Sequence, residues 1–138
     1  AEQHFVSLKS FFGKEASKVA LLTGSTTAKG RKKLLQDIED MSVRLVVGTH
    51  ALFQKGVGFP NLALIIIDGP PASIGRSRIL NHLWILGKSD YILIDDLHRK
   101  EEYSLSQRIA KECNLKCLHL FKESKNVSER QFGIFVRN

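Results

Sequence analysis

The residues of this chain best suited to chemistry stand at the ends of apolar runs. Asp68 closes the run Leu62-Ala63-Leu64-Ile65-Ile66-Ile67, and Asp95-Asp96 close Tyr91-Ile92-Leu93-Ile94, with His98 close behind. Hard oxygen donors at neighbouring strand ends are what magnesium and calcium take, which makes Asp68, Asp95 and Asp96 weak metal candidates. The competing reading is structural: Asp68 and Asp96 cap turns or helices, and Arg76 and Arg99 neutralise them. A second group lies earlier, in the Gly-rich segment 23–32. A phosphate-wrapping loop needs G-x-x-x-x-G-K-[ST], whose hydroxyl holds magnesium. Here five residues separate Gly24 from Gly30, and Arg31-Lys32-Lys33 follows with no hydroxyl, so the segment reads as a helix start with a solvated basic face. Gly48-Thr49-His50 offers backbone amides and a hydroxyl to a phosphate, or else a turn capped by Thr49. His4, His82 and His119 have no ligand spacing.

The elements that must position these groups follow from hydrophobic period. Six short apolar runs read as strands a to f: residues 19–22, 44–47, 62–67, 91–94, 117–121 and 132–136. The middle runs are continuous rather than alternating, the pattern of strands covered on both faces. Residues 2–12, 29–41, 76–87 and 99–113 repeat apolar positions with helical spacing. The order α-β-α-β-β-α-β-α-β-β predicts a three-layer α/β sandwich, resembling Rossmann and P-loop architectures, with a mostly parallel sheet. Strands e and f are joined by a segment too short for a helical crossover, so they are expected to pair antiparallel. Helix 2–12 is expected to cover one face and the later helices the other. No linker or internal repeat is visible, so 1–138 reads as a single domain.

Composition narrows the class further. The chain has 138 residues, 43% apolar and 25% charged, which excludes disordered, collagenous and coiled-coil classes. Its 21 Lys+Arg against 14 Asp+Glu give a net charge of +7, enough for weak nonspecific nucleic-acid binding. Cys113 and Cys117 make neither a disulfide framework nor a zinc set and read as reduced core thiols. No run is long enough to span a membrane, Ala1-Glu2-Gln3-His4 is no signal peptide, and a cytoplasmic location is expected. The chain lacks an initiator Met and begins as though cut from something longer.

Residues 1–68 resemble part of the motor domain of RecG-type DNA helicases. The resemblance is carried by Ala1-Glu2-Gln3-His4, Val19-Ala20-Leu21-Leu22-Thr23-Gly24-Ser25, Val46-Val47-Gly48-Thr49-His50-Ala51-Leu52-Phe53-Gln54 and Asn61-Leu62-Ala63-Leu64-Ile65-Ile66-Ile67-Asp68. It implies that Asp68 would begin an Asp-Glu-Gln-His motif and that Gly48-Thr49-His50 would lie on the DNA side. Gly69-Pro70-Pro71 follows Asp68 instead, and the family's P-loop is expected ahead of Ala1. From about residue 64 onward the chain resembles the C-terminal half of class I S-adenosylmethionine-dependent methyltransferases. That resemblance rests on Ile67-Asp68-Gly69-Pro70-Pro71, Gly75-Arg76, the stretch Tyr91 to Arg99, and Glu101-Glu102, with Phe132 to Asn138 as an antiparallel strand.

Together the resemblances imply an engineered or recombined chimera, a helicase-like half 1–68 fused to a methyltransferase-like half 69–138. The expected fold is one six-stranded sheet in the order a-b-c-d-f-e. The expectation is no native catalysis, no cofactor and no specific partner, in a monomer or homodimer. Two alternatives remain: salt-sensitive nucleic-acid binding through Arg31, Lys32, Lys33, Thr49 and His50, and a remnant metal or S-adenosylmethionine site.

Overall fold

The computed structural model describes residues 1–71, 73–125 and 128–138. It divides into two compact units, Ala1–Pro60 and Asn61–Asn138. The first contains α1 (Glu2–Phe12), β1 (Val19–Leu22), α2 (Ala28–Glu39) and β2 (Leu45–Gly48), with 3-10 turns at Gly13–Lys18 and His50–Phe53. Strands β1 and β2 pair in parallel, with Val19 opposite Leu45 and Leu22 opposite Gly48. Helix α2 starts where Thr27 accepts a hydrogen bond from the Gly30 amide at 3.1 Å, a cap that satisfies one otherwise orphaned donor. It ends before Met41, whose φ of 64° cannot continue a helix. The core of this unit is Leu22, Leu34, Ile38, Val43, Ala51 and Val57, with Ala20, Val46, Leu52 and Phe59 packed against it. Helix α1 packs against β1 and β2, yet it buries none of its residues, and Phe11 remains 86% exposed.

The second unit contains β3 (Leu64–Ile67), α3 (Leu83–Leu86), β4 (Tyr91–Ile94), α4 (Lys100–Glu112), β5 (Leu115–Lys125) and β6 (Ser128–Arg137), with a 3-10 helix at Arg76–His82. Its sheet has the order β3-β4-β6-β5. β3 and β4 run parallel, and β6 pairs antiparallel with both β4 and β5. The expected closing antiparallel pair and the partial order c-d-f-e are both present. The core includes Ile67, Ile79, Ile85, Leu86, Ile92, Ile94, Leu97, Leu105, Ile109, Leu115 and Phe135.

Three expectations need correction. The six strands do not form one described sheet but a two-stranded and a four-stranded one. Period reveals a strand's faces and not its neighbours, and each group of strands closes on its own core. The continuous apolar runs are not covered on both faces: Ile67, Ile92 and Ile94 are buried, whereas Leu64 is 47% and Ile66 57% exposed. Residues 76–87 are not one α-helix, because His82, at φ −127° and ψ 28°, interrupts it. Before that break the chain winds in the tighter 3-10 form, as short segments without a side-chain cap often do.

The cysteines differ from each other. Cys113 is half-buried, and Cys117 is exposed rather than part of the core. Burial first, and then Glu112, push the Cys113 thiol up from its ordinary pKa, against a smaller opposing effect of Arg137. Because the thiolate is the nucleophile, iodoacetamide at neutral pH should modify Cys117 several-fold faster than Cys113. Peptide mapping after partial alkylation reads the ratio, and equal rates would contradict the placement.

Candidate functional site

The polar groups at the β3 and β4 ends converge on one arginine. Arg76 is 6% exposed, and its guanidinium is held on several sides. Nε donates to the Pro70 carbonyl at 3.0 Å, Nη1 to the Asp95 carbonyl at 3.0 Å, and Nη2 to the Gly69 carbonyl. Nη2 also donates to Asp96 Oδ2 at 3.0 Å. Arg99 Nη1 reaches the same Asp96 oxygen at 3.0 Å from a more exposed position. Asp95 turns inward on the backbone, its Oδ1 accepting from the Asp96 amide at 2.7 Å.

Sequence determines why the turn forms here. Asp96 takes φ 65°, a left-handed conformation that Asp tolerates better than most residues. The turn that follows is tied down by Leu97 donating to the Gln131 carbonyl at 2.7 Å and Arg99 donating to the Asp96 carbonyl at 3.0 Å. β3 and β4 are in register up to Ile67 and Ile94, and the Asp95 amide donates to Ile67 at 3.1 Å. That places the Gly69-Pro70 carbonyls and the Asp95-Asp96 pair around a single guanidinium. A buried charge is tolerable when it is paired and hydrogen-bonded, and Arg76 is paired with Asp96 and donates four hydrogen bonds.

For the metal candidates the consequence is direct. The Asp96 carboxylate is committed to two guanidinium groups, and Asp95 is committed to the backbone. Asp68 and His98 are exposed. Among the described residues, no three His, Cys, Asp or Glu side chains are grouped so as to hold a metal ion. The structure therefore brings Asp95 and Asp96 together around Arg76 rather than around a vacant cation position. Arginine as the neutralising partner was legible in the sequence; its four-point clamp was not, because three of its acceptors are backbone carbonyls.

In the first unit the loop hydroxyls serve the backbone. The Thr23 amide donates to Thr26 Oγ1 at 3.1 Å, Thr23 and Ser25 hydroxyls bond each other at 2.9 Å, and Thr27 caps α2. The helix-start reading of residues 23–32 fits this geometry. Of the nucleic-acid candidates, Arg31 donates to Gln54 Oε1 at 2.9 Å, which ties α2 to the loop that follows Thr49 and His50. Lys33 pairs instead with Asp37 on its own helix at 2.9 Å. Lys32, Thr49 and His50 are exposed. Thr49 stands at the cap position of the His50–Phe53 turn but makes no side-chain cap hydrogen bond, which corrects the expectation of a capping hydroxyl. Sequence reasoning also missed Gly48 as a contact position. A Cβ there would lie 2.3 Å from the Leu22 carbonyl oxygen and 2.7 Å from Leu52 Cγ.

The fold is of the methyltransferase-like α/β class. The chain superposes with a TM-score of 0.55 and 10% identity on a crystal structure from Streptococcus pneumoniae, assigned as a tRNA methyltransferase and solved with S-adenosyl-L-methionine. The match covers 96% of this chain and 62% of that one. By sequence the similarity points elsewhere. The chain is 46% identical over 81 residues to the ATP-dependent DNA helicase RecG of Streptococcus pneumoniae, covering 58% of this chain and 12% of the helicase. It is 48% identical over 68 residues to RecG of Staphylococcus aureus, covering 49% and 10%. The chain thus spans about a tenth of the length of the curated relatives it matches. No family model matches it. A helicase-like sequence stretch and a methyltransferase-like fold coexist in one polypeptide. Among the described residues, no helix is long and apolar enough to cross a membrane.

Proposed function

We propose that this chain is a recombined α/β protein whose described strand ends serve structure rather than catalysis. The observation that supports this is the Arg76 clamp, which engages Asp96 Oδ2 and the Pro70 and Asp95 carbonyls at the β3 and β4 ends. The sequence agrees at two further points. Gly69 stands where a helicase-like motif would place the Glu that positions an attacking water, and segment 23–33 lacks the spacing of a phosphate-wrapping loop. The expected outcome is no ATP hydrolysis, with or without DNA, and no methyl transfer from S-adenosylmethionine above a mock preparation carried through the same purification. Turnover that co-purifies with the chain and is lost with Asp68→Asn or Asp96→Asn would refute this.

A second reading is nucleic-acid binding by the first unit. It is favoured by the Arg31–Gln54 hydrogen bond, which sets a guanidinium beside the loop carrying Thr49 and His50. Lys32 adds an exposed cation, whereas Lys33 is partly neutralised by Asp37. Binding of this kind releases counterions, so affinity for duplex DNA should fall steeply between low and moderate salt. Arg31→Gln with Lys32→Gln should lower the log–log salt slope by about two. Duplex affinity that does not change with salt would remove the reading.

A further inference from the structure

The sheet of the second unit is apolar on both faces, and only one of them is closed. Residues paired across strands share a face, so the register lays two rows across one side. The first is Leu64, Tyr91, Val136 and Lys116, and the second is Ile66, Leu93, Ile134 and His119. The bulge between Cys117 and His119 is what keeps Lys116 and His119 on the same side. Phe121, paired with Phe132, adds a third row beyond the end of β4. On the opposite side Ile67, Ile92, Ile94 and Phe135 are buried. On this side Leu64 and Tyr91 are each 47% exposed, Ile66 57% and Phe121 38%, and Leu93, Phe132, Ile134 and Val136 are half-buried.

Area and charge together select the occupant. The four exposed side chains present the equivalent of about two whole ones, roughly 300–500 Å², and apolar patches of that order mark interaction sites. A two-fold contact uses the patch once from each copy. With its half-buried margins that removes about 1,000 Å² in all, the least a specific interface needs. The cations described on this face stand at its rim, Lys116 opposite Val136 at one end of the hairpin and Arg130 toward the other. Val136 and Arg130 are about 20 Å apart along β6, so no basic cluster forms of the kind a polyanion or an anionic membrane takes. An apolar centre with a polar rim is instead the anatomy of a protein–protein contact.

The patch also tolerates its own image. A two-fold axis along the strands sets β3 of one copy over β5 of the other. Both are edges of their sheet, so Lys116 lays its stem on apolar β3 and keeps its ammonium in water. An axis across the strands would stack β5 on β5 and gather the Lys116 and His119 side chains of both copies. We infer that this open face of the β3-β4-β6-β5 sheet is a dimerisation surface, packing sheet on sheet against a second copy of the chain about a two-fold axis along the strands.

The test is sedimentation velocity of the full chain, with reductant present so that the exposed Cys117 cannot link two molecules. Between about 1 and 100 μM, the range expected of a small interface, the mass should rise from 15.5 kDa to twice that. Ile66→Lys puts one charge from each copy into the dry centre and should weaken dimerisation at least about a hundredfold. Leu64→Lys should do the same from a second position on the face. Phe11→Lys, at a side chain 86% exposed in the first unit, should leave the mass unchanged. Thermal melts that match the parent chain confirm that each variant folds. A mass of 15.5 kDa at every concentration overturns the inference. So does dimerisation lost with Phe11→Lys but kept with Ile66→Lys and Leu64→Lys, growth beyond a dimer, or a monomer that binds phosphatidylserine vesicles through the same face.

Discussion

Arg76→Met should destabilise the second unit by about 3–5 kcal/mol, the cost of breaking a buried pair and leaving its partner uncompensated. Methionine keeps the stem and most of the volume, so little of the loss comes from packing. The loss arises because the carbonyls of Gly69, Pro70 and Asp95 and the Asp96 carboxylate all give up donors at once, and a buried acceptor left unsatisfied costs about 1–3 kcal/mol. Arg99→Met removes the other cation on Asp96 from a site 40% exposed and should cost about 1 kcal/mol or less. Urea unfolding followed by far-ultraviolet circular dichroism separates the two. Equal effects at Arg76 and Arg99 would mean that Arg76 is not the clamp.

The second large effect is expected at Gly48. A Cβ built there meets the Leu22 carbonyl oxygen at 2.3 Å, on the strand paired with it. The obstructing atom is backbone and cannot rotate away, and Leu52 closes the other side at 2.7 Å. Gly48→Ala should therefore cost about 3 kcal/mol, the upper part of the range for overpacked cores, by prising β1 from β2. Gly24 has nothing within 4 Å of its Cβ position, so Gly24→Ala serves as the control and should stay within about 0.5 kcal/mol. Hydrogen exchange at the β1 and β2 amides reads the difference locally, and protection that survives Gly48→Ala would contradict the close approach.

Much of the fold was legible in the sequence, for identifiable reasons. The runs at 19–22 and 91–94 coincide with β1 and β4, because short apolar stretches bounded by turn residues have few other stable conformations. The spacing at 2–12, 29–41 and 99–113 finds α1, α2 and α4 to within two residues. The antiparallel pairing of β5 with β6 followed from connection length alone. Strand neighbourhood was not legible beyond the second unit. Val46 and Ile66 look alike in sequence, and nothing local says whether their strands share a sheet. The 3-10 course of Arg76–His82 was hidden because Ile79, Leu83 and Leu86 fit a helical stripe, while Arg76 is drawn into the clamp.

The site was legible only in part. Asp96 beside two arginines suggested neutralisation, and the geometry gives it: Arg76 and Arg99 share one carboxylate oxygen. Residue types could not reveal that Arg76 also takes three backbone carbonyls, since carbonyl direction depends on the turn and not on side-chain identity. The phase of β5 was hidden for a related reason. Lys116 shares a face with His119 only because a bulge breaks the alternation, and no sequence period encodes a bulge at Leu118.

The most direct test of a structural rather than catalytic strand end is a heteronuclear magnetic resonance titration of the intact chain with magnesium and S-adenosylmethionine, following the Arg76 Nε–H and the amides of Gly69, Asp95 and Asp96. A clamp satisfied from within predicts an Arg76 Nε–H that exchanges slowly with solvent and resonances that neither ligand moves. Saturable shifts at Asp95 and Asp96, accompanied by release of the Arg76 Nε–H to rapid exchange, would show that the clamp opens for a ligand and would contradict the account.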